Sequence, residues 1–180
     1  MDRTLAIKRV LGIDPGSHHL GIGCVEKSGN ALQLIFAETI HAPKQASLYS
    51  RLDFLARRLN PVIQRLEPDE VAVEGIFYAK NVKSAVHLGM ARGVAVALCL
   101  GRDLPIFEYA PTQVKLVVTG YGRADKAQVA KMVCLLLGLR GDDLSEQDFG
   151  QDATDALAVA LCHASHHVGF STRKSTVKEC

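Results

Sequence analysis

The order of the apolar runs constrains the fold of this chain more than any other feature. Three runs, 9–13, 19–26 and 31–40, have the composition of β-strands and are separated by short turns. The rest of the chain alternates strand-like runs with stretches of helical periodicity. Short turns join antiparallel strands, whereas helical crossovers join parallel ones. The sequence therefore predicts an α/β fold, in which helices flank a mixed sheet.

The later part of the chain supplies two strands and five helices. Pro61 lies inside the first helix and could kink or split it. The second helix is apolar on most sides, which is typical of a core helix or of one that packs against another subunit. The predicted strands cover 70–73 and 106–109, and the predicted helices cover 47–66, 81–100, 111–118, 125–137 and 151–166.

The bulk composition indicates one globular domain. The chain has 180 residues, of which 48% are hydrophobic and 22% are charged. We expect residues 1–8 to be an extension, 9–167 to form the domain, and the polar, basic segment 168–180 to be disordered. No apolar run approaches the roughly 20 residues that span a bilayer, and the start lacks a secretory signal. Five cysteines without a Cys-x-x-Cys pair favour buried thiols in a reducing compartment. We therefore expect a cytoplasmic protein that does not contact a membrane.

Four carboxylates stand at the ends of apolar runs. Asp14 ends the first strand, Glu74 ends the fourth, and Asp152 and Asp155 open the last helix. A carboxylate at the end of a buried element is costly unless positive charge compensates it. A shared divalent metal would do so, and oxygen ligands suit Mg²⁺ or Mn²⁺.

Each carboxylate alone also has an ordinary explanation. Asp14 could belong to a plain turn or to a glycine-containing phosphate loop. The two helical aspartates, spaced i and i+3, could be the acidic N-terminus of an amphipathic helix. A second metal pattern, His163, His166 and His167, is weaker, and an exposed helix end is the favoured interpretation.

Basic residues concentrate in the middle of the chain. Residues 76–134 contain eight basic and three acidic side chains, a formal charge of +5 in a chain whose net charge is +2. Such a segment could hold a polyanion beside acidic metal ligands. Ordinary solvated helix faces would give the same composition.

Five motifs occur in a fixed order along the chain: VLGIDPGS (10–17), VEGIFYAKN (73–81), ARGV (91–94), YAPTQVK (109–115) and DATDALA (152–158). Together they resemble the RuvC family, the bacterial Holliday junction resolvases of the ribonuclease H-like superfamily. The resemblance runs from about residue 9 to residue 166. It implies a ribonuclease H-like mixed five-stranded sheet flanked by helices, a homodimer, and Mg²⁺-dependent paired nicks across four-way junction DNA in recombination and repair.

By position, the resemblance implies roles for individual residues. Asp14, Glu74, Asp152 and Asp155 match the catalytic, metal-binding carboxylates. Gly75 departs from the family pattern, in which a longer polar residue commonly follows the glutamate. The residues expected to contact DNA are Phe77, Tyr78, Lys80, Lys83, Lys115, Arg123 and Lys126. For Phe77, Lys115 and Lys126, the alternatives are a core aromatic and solvated helix faces.

The hypothesis for the reaction is two-metal phosphodiester hydrolysis. In it, Asp14 bridges two Mg²⁺ ions, with Mn²⁺ as a substitute, and the other carboxylates complete the two coordination shells. The helix 81–100 corresponds to the dimer helix of the family. A RuvA–RuvB branch-migration complex is a partner that the resemblance alone implies.

Three rival interpretations remain open at this stage. The segment 12–17 also resembles the first phosphate loop of actin-like and sugar-kinase ATPases, but those proteins need two related domains and this chain is long enough for one. A non-catalytic junction-binding module would be expected to lose a carboxylate. A related nuclease could act on RNA instead of DNA.

Overall fold

A computed structural model describes residues 7–75, 82–139 and 149–166. The predicted mixed sheet of five strands flanked by helices is confirmed. The strands are β1 (Ile7–Asp14), β2 (His19–Ser28), β3 (Ala31–His41), β4 (Glu70–Glu74) and β5 (Ile106–Tyr109). The helices are α1 (Leu48–Leu66), α2 (Val82–Leu100), α3 (Pro111–Thr119), α4 (Lys126–Leu136) and α5 (Gln151–His166).

The sheet has the strand order β3-β2-β1-β4-β5. β1, β2 and β3 are antiparallel, and Gly29 makes the turn between β2 and β3 with a φ of 59°. β4 runs parallel to β1, and β5 runs parallel to β4, because α1 and α2 carry the chain back between them. The carboxyl ends of β1, β4 and β5 therefore meet at one edge of the sheet, where β2 also begins.

The structure differs from the expected start of the domain, and it shows how α1 accommodates Pro61. β1 begins at Ile7, so residues 7 and 8 of the expected extension belong to the sheet. α1 continues through Pro61 without splitting, and Ser47 caps it by accepting a hydrogen bond from the Ser50 backbone N–H at 3.2 Å. Buried apolar side chains on both sides of Pro61 hold the helix against the core, and this packing outweighs the hydrogen bond that proline cannot make.

α5 packs against β1 and β2, and at two glycines no side chain separates the backbones. A Cβ atom added at Gly12 would lie 2.0 Å from the Ala156 carbonyl oxygen. One added at Gly21 would lie 1.9 Å from the Asp152 carbonyl oxygen. Only glycine permits this approach, which places the first turn of α5 beside the end of β1.

His163 corrects one expectation about the end of α5. Instead of being exposed, its side chain is fully buried, with Nε2 2.9 Å from Glu70 Oε2 and Nδ1 2.6 Å from the Tyr109 hydroxyl. Glu70 also pairs with Lys8. These contacts connect α5 to β1, β4 and β5, so a polar cluster inside the protein fixes the helix relative to the strands.

α2 exposes much of its apolar surface. The helix is long and apolar enough to cross a membrane by length and composition, and among its residues only Ala91, Ala95 and Cys99 are fully buried. The expectation that no apolar run approaches that length is therefore wrong for this helix. Val82, Val86 and Leu100 are more than half exposed. Such a surface on a globular domain favours a protein contact.

Candidate active site

Three of the four predicted carboxylates face one cleft at the sheet edge. Asp14 and Glu74 end adjacent parallel strands, and Asp155 projects from the start of α5. The cleft has a volume of about 390 Å³, and Lys115 of α3 and Lys126 of α4 lie in its walls. Pro111, Val114, Val129 and Ala158 complete the lining. Strand order and helix packing thus bring together residues that are up to 141 positions apart in the chain.

Asp152 lies one helical turn before Asp155 but is not part of the cleft lining. Its charge does reach the site, since it raises the pKa of Asp14, although less than Glu74 and Asp155 do. The two helical aspartates therefore have different positions. Asp155 is a wall residue of the cleft, and Asp152 acts on the cleft from its margin.

The carboxylates repel one another in a partly buried space. Burial, and after it the charges of Glu74, Asp155 and Asp152, together raise the pKa of Asp14 from 3.8 to about 7. Burial, followed by the charge of Asp155, also raises the pKa of Glu74. Ionising this group of acids is therefore unfavourable until a cation enters the cleft.

Lys126 supplies part of the missing positive charge. Its Nζ lies 2.8 Å from Asp155 Oδ2, and this hydrogen bond raises the pKa of the lysine. The lysine is held in place because α4 begins with a capping box, in which the Asp125 side chain accepts from the Gln128 backbone N–H at 2.8 Å. Its charge lowers the pKa of both Asp14 and Glu74.

The chemistry of the cleft fits a hard divalent cation. The acidic side chains in its walls offer carboxylate oxygens as metal ligands, and Mg²⁺ and Mn²⁺ prefer this type of ligand. Within the described residues, no three His, Cys, Asp or Glu side chains are already close enough together to hold a metal.

The residues expected to contact DNA divide into three groups. Lys115 and Lys126 lie in the cleft walls. Arg123 is exposed on the connector between α3 and α4, and Lys83 is exposed in the first turn of α2. Phe77, Tyr78 and Lys80 lie outside the described residues.

Sequence reasoning missed Arg51, which supports the loop after Asp14. This arginine is only 8% exposed. Its Nε donates to the Ser17 carbonyl at 3.0 Å, and one terminal nitrogen donates to the Ala46 carbonyl at 2.8 Å. No sequence signal marks it, because an arginine in an amphipathic helix is ordinarily a surface residue.

Comparison with known proteins gives consistent matches along most of the chain. The family model for the crossover junction endodeoxyribonuclease RuvC matches residues 10–163. RuvC of Oleidesulfovibrio alaskensis is 46% identical over 154 residues, covering 86% of this chain and 89% of the relative. RuvC of Thermotoga petrophila is 42% identical over 156 residues, covering 87% and 92%.

Solved structures agree with these matches. The structure of Thermus thermophilus RuvC in complex with a Holliday junction substrate has a TM-score of 0.78 and 34% identity, covering 88% of this chain and 94% of that one. The yeast mitochondrial Holliday junction resolvase Ydc2, at 14% identity and a TM-score of 0.61, shares the fold. On the family match, the length of the alignments and the shared architecture, this chain belongs to the RuvC family of crossover junction endodeoxyribonucleases.

Proposed function

We propose that this protein is a structure-selective endonuclease that resolves Holliday junctions by paired, symmetric nicks during DNA recombination and repair. One observation in the structure carries the proposal. Asp14, Glu74 and Asp155 come from three different elements and converge on a single cleft that also presents two lysines. Acidic ligands beside basic side chains suit a reaction on a phosphodiester, which is anionic and needs a cation for its hydrolysis. Membership of the RuvC family supports the same activity.

Nucleases of this family depend on a divalent metal. We infer that Asp14, Glu74 and Asp155, with Asp152 at the margin, hold two Mg²⁺ ions, and that Mn²⁺ can substitute. Bound in this way, the ions would activate water and stabilise the charge that develops on the leaving oxygen. The unfavourable ionisation of Asp14 supports the inference, because a cation would relieve it.

The chain's own residues would orient the substrate and hold its charge. Lys115 and Lys126 line the cleft and would contact the phosphates on either side of the cut. Arg123 and Lys83, with Phe77, Tyr78 and Lys80 from the segment after Glu74, would extend this contact over the junction. Binding through several phosphates releases counterions, so we expect affinity to fall steeply as salt rises.

A homodimer would match the symmetry of the substrate. A four-way junction has approximate two-fold symmetry, and an isologous dimer presents two identical active sites. α2 is the element that suits the contact, since its apolar surface is largely exposed in the single chain. A RuvA–RuvB branch-migration complex and a location in the cytoplasm, where bacterial DNA is processed, complete the proposal.

Cleavage of defined nucleic acids tests the function. Labelled four-way DNA, duplex DNA and structured RNA are each incubated with the protein in Mg²⁺ or in EDTA. Paired nicks in the four-way DNA alone, and only with Mg²⁺, are expected. Preferential cleavage of RNA would indicate a related nuclease that acts on RNA. Junction binding without nicks in Mg²⁺ or Mn²⁺ would contradict the proposal that the protein is an enzyme.

A charge-neutral variant tests the site. Asp14→Asn keeps the shape of the side chain, and we expect more than about 100-fold loss of cleavage, since changes outside the first ligand shell alone cost 10–100-fold. Asp53→Asn is the matched control, because Asp53 is exposed on α1 and pairs only with Arg57 among the described residues. Near-wild-type nicking by Asp14→Asn would refute the assignment.

A further inference from the structure

Two histidines face each other at the sheet edge that carries the cleft. His19 begins β2, His41 ends β3, and the two are direct partners in the antiparallel ladder. Their Nδ1 atoms are 2.7 Å apart, and the rings meet edge to face with centroids 4.8 Å apart. Both side chains are exposed. The proposed hydrolysis uses neither residue.

Two imidazole nitrogens at this distance can share a proton, and the same two nitrogens can bind a metal ion. Two ring nitrogens at hydrogen-bonding distance share one hydrogen, so at least one of them presents a lone pair to the other. For both Nδ1 atoms to bind a divalent ion, the ring that donates the shared hydrogen must adopt the tautomer that carries this hydrogen on Nε2, and the ion is then bound by two neutral imidazoles.

The spacing of the two nitrogens fits one ion. Imidazole nitrogens bind first-row ions at about 2.0–2.1 Å, and two nitrogens at adjacent corners of an octahedron or a square are then roughly 2.9 Å apart. The observed separation is about 0.2 Å shorter. In the hydrogen bond the acceptor lone pair points at the other nitrogen, so both rings must also turn until the two lone pairs converge on the ion. Because both rings are exposed, they can turn without moving the backbone.

The backbone under the pair is fixed. Leu20 and Ile40, the next pair along the two strands, are buried in the core. Beyond the strand ends, the Ala42 backbone N–H donates to the His18 carbonyl at 2.8 Å. A pair of ligands held on such a scaffold loses little conformational freedom when an ion binds.

We infer that His19 and His41 form a second metal site, separate from the carboxylate cleft, for divalent ions that prefer nitrogen ligands, such as Ni²⁺, Zn²⁺ or Cu²⁺. It has two protein ligands, because the described residues contain no group of three or more candidate ligands. Water would occupy the remaining positions. Mg²⁺ prefers oxygen and would not bind there.

The location gives the site a mechanical consequence. Gly21 of β2 pairs with Asp14, so His19 lies only two residues from the strand position beside the catalytic aspartate. The loop 15–18 connects Asp14 to His19. An ion held by His19 and His41 would fasten the end of this loop to β3.

Calorimetric titration of the untagged, full-length protein with NiCl₂ tests the inference. With excess MgCl₂ present to fill the carboxylate cleft, we expect one Ni²⁺ site per chain in the wild type, and an affinity at least about tenfold weaker in His19→Gln and in His41→Gln. The matched control is His166→Gln, which removes an exposed histidine from the end of α5. Unchanged affinity in the first two variants, or a loss in His166→Gln instead, would overturn the site.

A second measurement identifies the ligands directly. Addition of ZnCl₂ should shift the imidazole NMR resonances of His19 and His41 at substoichiometric ion, whereas MgCl₂ should leave both unshifted. Shifts confined to other histidines would also refute the inference. Junction cleavage in Mg²⁺ by His41→Gln is measured separately, so failure of this site and failure of the proposed nuclease function give different results.

Discussion

Asp14→Asn tests the electrostatics of the cleft through stability instead of catalysis. Burial, together with the neighbouring carboxylates, raises the pKa of Asp14 from 3.8 to about 7 in the folded protein. The unfolded chain keeps the ordinary value, so between about pH 4 and pH 7 the folded state binds a proton that the unfolded state has lost. The free energy of unfolding therefore falls as pH rises through this window.

The size of the effect follows from the pKa difference. The pKa of Asp14 differs by about three units between the folded and the unfolded state, and each unit corresponds to roughly 1.4 kcal/mol. Above pH 7 the charged Asp14 therefore lowers the free energy of unfolding by at most about 4 kcal/mol. Asparagine carries no charge, so Asp14→Asn should be more stable than the wild type in EDTA. About two of the three pKa units lie between pH 5 and pH 7. The extra stability of Asp14→Asn over the wild type should therefore be about 3 kcal/mol larger at pH 8 than at pH 5.

Urea denaturation in EDTA at pH 5 and pH 8 measures this difference. Asp53→Asn provides the control, since its exposed pair with Arg57 should change stability by less than about 1 kcal/mol at either pH. Mg²⁺ in place of EDTA should raise the melting temperature of the wild type at pH 8 and have a much smaller effect on Asp14→Asn. A gain that does not grow with pH, or a variant less stable than the wild type at pH 8, would refute the reasoning.

Three other experiments test how the site is held together. Gly21→Ala would place a Cβ 1.9 Å from the Asp152 carbonyl oxygen. We therefore expect about 1–3 kcal/mol of destabilisation in urea and at least about tenfold slower nicking. Stability and activity equal to those of the wild type would contradict the close packing. Burial raises the pKa of Glu70, but its hydrogen bonds to β1 and α5 lower it below 4.5 overall; stability should therefore be lost as pH falls below about 4.5, and Glu70→Gln should remove this loss in acid denaturation curves. Lys126→Gln and Asp155→Asn in a double-mutant cycle should couple by less than about 1 kcal/mol in metal-free protein, because the pair is partly exposed, and a larger coupling would show that the pair is shielded from water.

Strand ends were predictable from the sequence because local chemistry marks them. Asp14 and Glu74 each interrupt an apolar run, and such an interruption is visible without knowledge of the fold. That the two strands are parallel neighbours depends on the order β3-β2-β1-β4-β5, which pairing between distant segments determines. The family resemblance implied a ribonuclease H-like mixed sheet of five strands, but the sequence analysis did not predict the order of the strands.

Long-range polar contacts were beyond the sequence analysis. Glu70 and His163 are 93 residues apart, and His163 was expected at an exposed helix end because polar residues near a helix terminus usually face solvent. Arg51 was missed for a related reason, since its two acceptors are backbone carbonyls that any residue could supply. The pair of His19 and His41 depends on the register between β2 and β3. Strand composition predicts both strands, but it does not predict which of their residues are partners.

The contact of α5 with Gly12 and Gly21 has a consequence for transferring this chemistry to another protein. The four carboxylates alone would not reproduce the site on a sheet whose strands carry ordinary side chains, because one methyl group would hold the helix away from the strands. A site transferred to another sheet would need the two glycines as much as it needs the carboxylates. Inactive variants of this protein should accordingly be found at uncharged positions that never touch DNA or metal.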